Sequence, residues 1–306
     1  MPAANHPITS THGFTVSVPG TCANLGPGFD SFGLAIDWDN HFHFSPAAPS
    51  IQDAIISNHT DIPLTPADNL VFQAMDHIFQ AQQKARPPFR LEIDACLPSA
   101  RGLGSSSTAI VAGLVAANHV LENPYTPLEL AQMANRLEGH PDNVAPALLG
   151  GVKLCDDDTF VNLPWPDDWK ILLLIPPYPI KTEAARRVLP EHPSRKDAIF
   201  NLRKASLLTY ALLKADGDAF ARSLDDALHQ PYRGQLIPEW REVQNLAKQQ
   251  NAFGSIISGS GSVMAVFYSA AAEVALIKAF TPFQSRNITL RKAAISVDGA
   301  RLTCFD

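Results

Sequence analysis

Two spacings of apolar residues take turns along this chain. In FRLEIDACLP (89–98) apolar and polar residues alternate, which predicts a strand with one buried face. FTVSVPG (14–20) reads as a strand closed by Pro19 and Gly20, and FGLAIDWDNHFHF (32–44) as one or two more. After a polar stretch marked by Pro63 and Pro66, NLVFQAMDHIFQAQQKA (69–85) places Val71, Met75, Ile78 and Phe79 at helical spacing. LPSARGLGSSSTAIVAGLVAANHV (97–120) runs from a strand end through a glycine-serine loop into a helix of Ala, Val and Leu. TPLELAQMANRLEG (126–139) predicts another helix, with Thr126 as its cap, Pro127 in the first turn and Glu129 behind it.

GGVKLC (150–155) and TFVNLPW (159–165) read as short strands. The Pro/Asp-rich LPWPDDW (163–169) marks a boundary near residue 165, which divides the chain into domains 1–165 and 166–306. Beyond it come a buried strand KILLLIP (170–176), helices between Thr182 and Gln250, and the strand-turn-strand SIISGSGSVMAVFY (255–268). A helix through AAEVALIKAF (271–280) and strands in ITLRKAAISVDG (288–299) and RLTCF (301–305) complete the pattern. Strands and helices are mixed and few units show βαβ alternation, so the expected class is α+β.

At 306 residues, with 46% hydrophobic and 18% charged residues, the chain has room for a large core and two domains. A net charge of -6 and a pI of about 5.9 argue against a nucleic-acid-binding surface. Cys22, Cys96, Cys155 and Cys304 form no CxxC pair, so neither a zinc site nor a disulfide framework is expected. The first residues, MPAANHPITSTHGF, lack the basic and apolar regions of a signal peptide, and no run reaches the ~20 apolar residues of a membrane span. A cytoplasmic location, with no membrane partner, follows as the expectation.

The candidate chemistry begins in Arg101-Gly102-Leu103-Gly104-Ser105-Ser106-Ser107. Its glycines let the backbone curl close to a ligand, and the following helix offers free N–H groups and a positive dipole end, a combination that suits a di- or triphosphate. GxxxxGK[ST] fails because no lysine follows Gly104, and GxGxxG fails at Ser107. Alone, the loop fits a plain Gly/Ser helix start equally well. Three further glycine-bearing segments stand between apolar elements, where sites tend to be built: VPGTCANLGPGFDSFGLAID (18–37), LEGHPDNVAPALLGG (137–151) and SIISGSGSVMAVF (255–267).

Together these segments resemble the GHMP kinase superfamily and, within it, the homoserine kinase family. PGTCANLGPGFDSFG resembles motif one, PSARGLGSSSTA motif two and SGSGS motif three, while EGHPDNVAP and KTEAARRVLP point to the narrower family. The resemblance implies a two-domain fold, with an N-terminal ribosomal-protein-S5-like domain and a C-terminal ferredoxin-like α/β-plait domain. It implies transfer of the ATP γ-phosphate to the hydroxyl of L-homoserine, a step toward threonine, and it leaves a homodimer open. By motif two, Pro98, Ser99, Ala100, Arg101, Gly102, Leu103, Gly104, Ser105, Ser106 and Ser107 form the ATP site, and Ser106 with Glu138 holds Mg²⁺.

The resemblance makes Arg186 and Arg233 the carboxylate clamp, a task suited to the planar guanidinium fork. Arg186 is preferred to Arg187 because it stands four residues after Thr182, on one helix face with it. Asn24, Asp30, His140 and Thr182 complete the substrate site. Asp142 and Asn143, in a loop after Glu138, are the catalytic candidates, with positioning expected rather than a dedicated base. The alternatives are another small-molecule kinase of the superfamily, of mevalonate or shikimate type, and a non-catalytic nucleotide-binding protein. A Rossmann oxidoreductase fails on glycine spacing and on the expected lack of an early βαβ unit.

Overall fold

The computed structural model describes residues 13–48, 53–58, 62 and 65–305. Residues 1–12, the main part of the segment read as lacking a leader, lie outside the described residues. The first sheet holds β1 (Gly13–Ala23), β2 (Phe32–Pro46), β3 (Ala54–Ser57), β4 (Phe89–Asp94), β5 (Val152–Cys155) and β6 (Phe160–Leu163). The second is a four-stranded antiparallel sheet of β7 (Trp169–Ile175), β8 (Gly254–Ile257), β9 (Met264–Ser269) and β10 (Thr289–Ala293), in the order β10-β7-β9-β8. The boundary expected near residue 165 falls between β6 and β7. The last strand, β11 (Arg301–Phe305), crosses back to pair with β1 and makes the first sheet seven-stranded.

The helices follow the chain as α1 (Leu70–Ala81), α2 (Ser105–Val120), α3 (Pro127–Glu138), α4 (Pro141–Leu149) and α5 (Thr182–Arg187). Then come α6 (Arg195–Lys214), α7 (Gly217–Ser223), α8 (Gln230–Arg233), α9 (Trp240–Gln249) and α10 (Glu273–Phe280). Thr126 and Glu129 form the reciprocal capping box expected at the start of α3. Alternation in β4 buries Phe89, Leu91 and Ile93 beneath α1 and α2. In β7 nearly every residue is buried, because the sheet is covered on both faces. Ile171, Leu173 and Ile175 join the core shared with the first sheet, whereas Leu172 and Leu174 join the core under α9 and α10.

Two local readings change, at β1 and at the early βαβ unit, and one is settled. β1 runs through Pro19 and Gly20 to Ala23, with a register shift between Pro19 and Thr21; the irregularity absorbs the proline instead of ending the strand. FGLAIDWDNHFHF lies within the single strand β2. An early βαβ unit does exist: β3 pairs parallel to β4, with α1 between them. Four residues of β3 were too short to stand out. The Pro/Asp-rich boundary is packed, since the Trp165 ring lies 5.6 Å from Trp169 and Phe267 and 5.8 Å from Phe220.

One half-buried cation closes the βαβ corner. Arg86 grips Asp53 with two bonds of 2.7 and 2.9 Å, binds Asp76 at 2.6 Å, and lies 4.4 Å from the Phe72 ring. Burial works against ionised Asp53, but the Arg86 contacts and the Phe89 amide outweigh it and hold the carboxyl below its ordinary value. A depressed folded pKa contributes stability above the unfolded value that is lost as pH falls through the folded one. Arg86→Met is therefore expected to remove part of the stability loss below about pH 4. Urea titrations of both forms between pH 2 and 7 check this; identical acid limbs would refute it.

Candidate active site

The glycine-serine loop is stapled to both halves of the molecule through its carbonyls. Those of Ala100, Arg101, Gly102 and Leu103 accept in turn from Ile180 N, Val263 N, Ser258 Oγ and Thr21 N, at 2.8, 3.0, 2.6 and 3.1 Å. Gly102 and Gly104 have φ of 79° and 68°, and Gly104 caps α2 without any side-chain bond to its first amides. A Cβ on Gly102 would stand 2.0 Å from Ser258 O, and one on Gly104 2.1 Å from Thr21 Oγ1. With the carbonyls engaged by protein, the first turn of α2 presents a positive end with no side chain over it.

Ser106 and Ser107 each donate to Glu138 Oε1 at 3.0 Å. Glu138 is the last residue of α3, and Gly139 ends the helix with φ of 84°. A carboxylate sits badly at the negative end of a helix dipole, and a cation beside it offsets that cost. The convergence of hard oxygen groups at one point fits Mg²⁺ better than a softer ion.

Of the three residues expected in a loop, His140 stands in the short link between α3 and α4, whereas Asp142 and Asn143 lie in a helix. Helix α4 starts at Pro141, with His140 as its N-cap and Asp142 and Asn143 buried in the first turn. Proline at the helix start made the segment look like a turn, although that is where a helix tolerates it. His140 Nδ1 lies 2.9 Å from Asp142 Oδ1, and Asn143 Oδ1 accepts from Thr21 Oγ1 at 2.7 Å. Burial disfavours charged His140, but the hydrogen bond and charge of Asp142, with Glu138 and Asp30, raise its pKa above the ordinary value. Ligand atoms of Asp30, His140 and Asp142 lie within 4.8 Å of one another, and the two carboxylates among them can accept from an ammonium.

The motif-one turn uses positive φ at Asn24 (73°), Leu25 (43°) and Asp30 (55°). Asn24 accepts from Asp30 N at 3.1 Å and donates to Gly259 O at 3.2 Å, which ties motif one to motif three. Arg186 grips Asp30 with a double bond set of 3.0 and 3.1 Å, whereas Arg187 points outward to exposed Glu183. Asp30, expected to accept from substrate, is thus held by the neighbouring arginine. Arg233 is buried and donates to Ala185 O and Gly259 O. Burial, then the Arg186 charge, lowers its pKa to about 10. Both guanidiniums stand over Phe29, at 5.7 Å for Arg186 and 5.1 Å for Arg233.

A cavity of about 310 Å³ joins these parts. Asn24, Asp30, Glu138, His140, Asp142, Asn143, Thr182, Arg186 and Arg233 line it, as do Ser99 to Gly102 and Gly104 to Ser107. Leu103 is the exception with a clear reason: its side chain is buried in the core between the sheets. Pro98 is also absent from the lining. Arg101 turns its guanidinium to Pro176 O and Pro177 O, so it anchors the loop. The sequence reading missed the cavity's other end, where Phe42, Leu70, Val71, Ile93 and Ala109 form an apolar slot beside Asn40 and Asn69. Only Asn69, before a helical pattern, carried a local signal, and it serves as the α1 cap.

The two-sheet fold and this loop-built cavity define a GHMP kinase: residues 69–151 match the GHMP kinases N terminal domain and 208–281 the GHMP kinases C terminal family. The chain is 41% identical to a homoserine kinase of Synechococcus sp. over 290 residues, 92% of this chain and 94% of that one. It is 46% identical to one of Synechocystis sp. over 258 residues, 82% and 84% of the two chains. The crystal structure of homoserine kinase from Cytophaga hutchinsonii superposes with a TM-score of 0.88 at 26% identity, covering 96% of this chain and 98% of that one. The chain belongs to the homoserine kinase family. A mevalonate kinase from Methanococcus jannaschii, at 12% identity and a TM-score of 0.71 over 92% of this chain and 98% of that one, shares the fold alone. Among the described residues no helix is long and apolar enough to cross a membrane.

Because φ at Gly104 favours glycine and its missing Cβ faces Thr21, Gly104→Ala is expected to lower ATP affinity tenfold or more in calorimetry. An unchanged dissociation constant, with far-UV circular dichroism also unchanged, would remove the loop from the nucleotide site.

Proposed function

We propose that this protein phosphorylates the side-chain hydroxyl of L-homoserine with ATP, giving O-phospho-L-homoserine and ADP. One observation carries the reading: a single cavity is lined by the uncapped start of α2 and by the Arg186–Asp30–Arg233 group. The first can take a polyphosphate, the second a small zwitterion.

In this reading the adenine lies in the apolar slot, and the triphosphate lies on the amides from Gly102 to Ser107. Ser106, Ser107 and Glu138 would hold Mg²⁺, whose charge would balance that of the β- and γ-phosphates. Arg186 exchanges the Asp30 carboxylate for that of the substrate, as its fork already faces a carboxylate of the same shape. Asp30, released, joins His140 and Asp142 around the ammonium, and Thr182 closes the rim. Asn143 orients the hydroxyl, because an amide can position a proton but cannot take it. Asp142, hydrogen-bonded to His140, keeps that imidazole in place. Catalysis then rests on placement and charge balance, which is what phosphoryl transfer demands of a protein.

An ADP-release assay against homoserine, threonine, mevalonate and shikimate is expected to favour homoserine by at least a hundredfold in kcat/KM. A preference for another alcohol would overturn the reading, and nucleotide binding without turnover would favour a non-catalytic binder. Arg186→Lys, which keeps the charge but loses the fork, is expected to raise KM for homoserine tenfold or more and leave KM for ATP within about twofold. Equal effects on both constants would reject the clamp. Glu138→Gln is expected to shift half-saturation by Mg²⁺ upward at least tenfold; an unshifted Mg²⁺ titration would place the ion elsewhere.

A further inference from the structure

His229, the N-cap of α8, is wholly buried and does not line the cavity. The chain is fixed at that point by Asp226, whose buried carboxylate accepts from Leu228 N, His229 N and Gln230 N at 3.0, 2.8 and 2.6 Å. Arg233 follows four residues later, so helical spacing returns it to the face that His229 occupies. The imidazole also lies against Phe29, with ring centroids 5.4 Å apart.

Two contacts decide which ring nitrogen carries the proton. Nε2 lies 2.8 Å from Gly26 O, and a carbonyl can only accept, so the proton sits on Nε2. Burial, helped by the Arg233 charge, outweighs the pull of Asp226 and lowers the pKa to about 4. No second proton is therefore held at neutral pH. Nδ1 is left as a lone pair, and it faces Arg233 Nη1, which can only donate, at 3.5 Å. The other tautomer would set two N–H groups head to head at Arg233 and turn a lone pair toward the Gly26 carbonyl. A charged ring would press a second cation against the guanidinium.

The partners of Arg233 show what that lone pair does. Nε donates to Ala185 O at 3.3 Å and Nη1 to Gly259 O at 2.8 Å. Nη1 carries two hydrogens, and the second is left for His229. Nη2 has no protein partner among the described residues, which leaves it to a ligand. A guanidinium held at Nε and at both hydrogens of Nη1 cannot turn in its plane or out of it, so Nη2 keeps one direction.

We propose that His229 is a positioning residue for the substrate: its Nδ1 lone pair sets the guanidinium of Arg233 so that Nη2 meets the carboxylate of the bound amino acid. The proposal rests on the reading of Arg233 as part of the carboxylate clamp. His229→Phe keeps a ring against Phe29 but has neither nitrogen. It is expected to raise KM for homoserine about tenfold or more, with kcat and KM for ATP within about twofold. His229→Asn, whose side-chain oxygen can stand in for Nδ1, is expected to bring that KM back to within about threefold of the parent. His229→Gln, whose amide reaches the place of Nε2 instead, is expected to recover far less. A folded Phe variant with the parent's KM, or equal recovery by Asn and Gln, would overturn the proposal.

Arg233→Ala, measured alongside, separates this role from the clamp itself. An unchanged KM for homoserine in Arg233→Ala would remove the clamp and the positioning role together. A raised KM there, with His229→Phe unmoved, would remove the positioning role alone. Long-range proton–nitrogen correlation spectra of the isotope-labelled parent need no variant to fold. They are expected to show a neutral His229 ring protonated on Nε2, and a proton on Nδ1 would sink the idea.

Discussion

The constraint on which the rest of the structure depends is the near-contact of two backbones at Gly102 and Ser258. No side chain fits between them, and Ser258 Oγ holds the Gly102 carbonyl at 2.6 Å. This approach joins the loop that follows β4 of the first sheet to a turn between β8 and β9 of the second. It also points four successive carbonyls into the protein and leaves the start of α2 bare. A lysine is unnecessary where the backbone itself is arranged as the cation. The cost is rigidity, since the loop cannot drift without parting the two sheets.

The other end of the cavity is held by a different device. Phe29 lies beneath two guanidiniums, and the buried His229 stacks on it at 5.4 Å. Burial holds His229 neutral, and its Nε2 lies 2.8 Å from Gly26 O, which ties motif one to the start of α8. Arg233 spends its donors on backbone carbonyls, which fixes its plane before any ligand arrives. Two like charges are thus kept close by carbonyls, an aromatic face and Asp30.

The sequence disclosed loops better than it disclosed surfaces. Gly102 and Gly104 were readable because positive φ and close approach restrict what residue can stand there, whereas Asn24 and Asp30 were singled out by the motif-one resemblance. Arg186 was separable from Arg187 because helical spacing from Thr182 fixes a direction. The apolar slot was not readable: Phe42 and Ile93 follow the same alternation as residues of the closed core, and only the fold shows which of them face a cavity. The α4 start was misread because Pro141 suits a turn and a first helical turn equally well. β3 was missed because four residues carry too little pattern, and the return of β11 because pairing partners far apart in sequence leave no local trace.

That return has a consequence for how the molecule is made. Until residues 301–305 have left the ribosome, β1 has no neighbour on one side, and its open amides and carbonyls are available to any passing strand. The first sheet therefore stays unsealed along β1 until residues 301–305 have been made. Disturbing Arg301–Phe305 would therefore open the first sheet, although those residues follow the strands of the second in the chain.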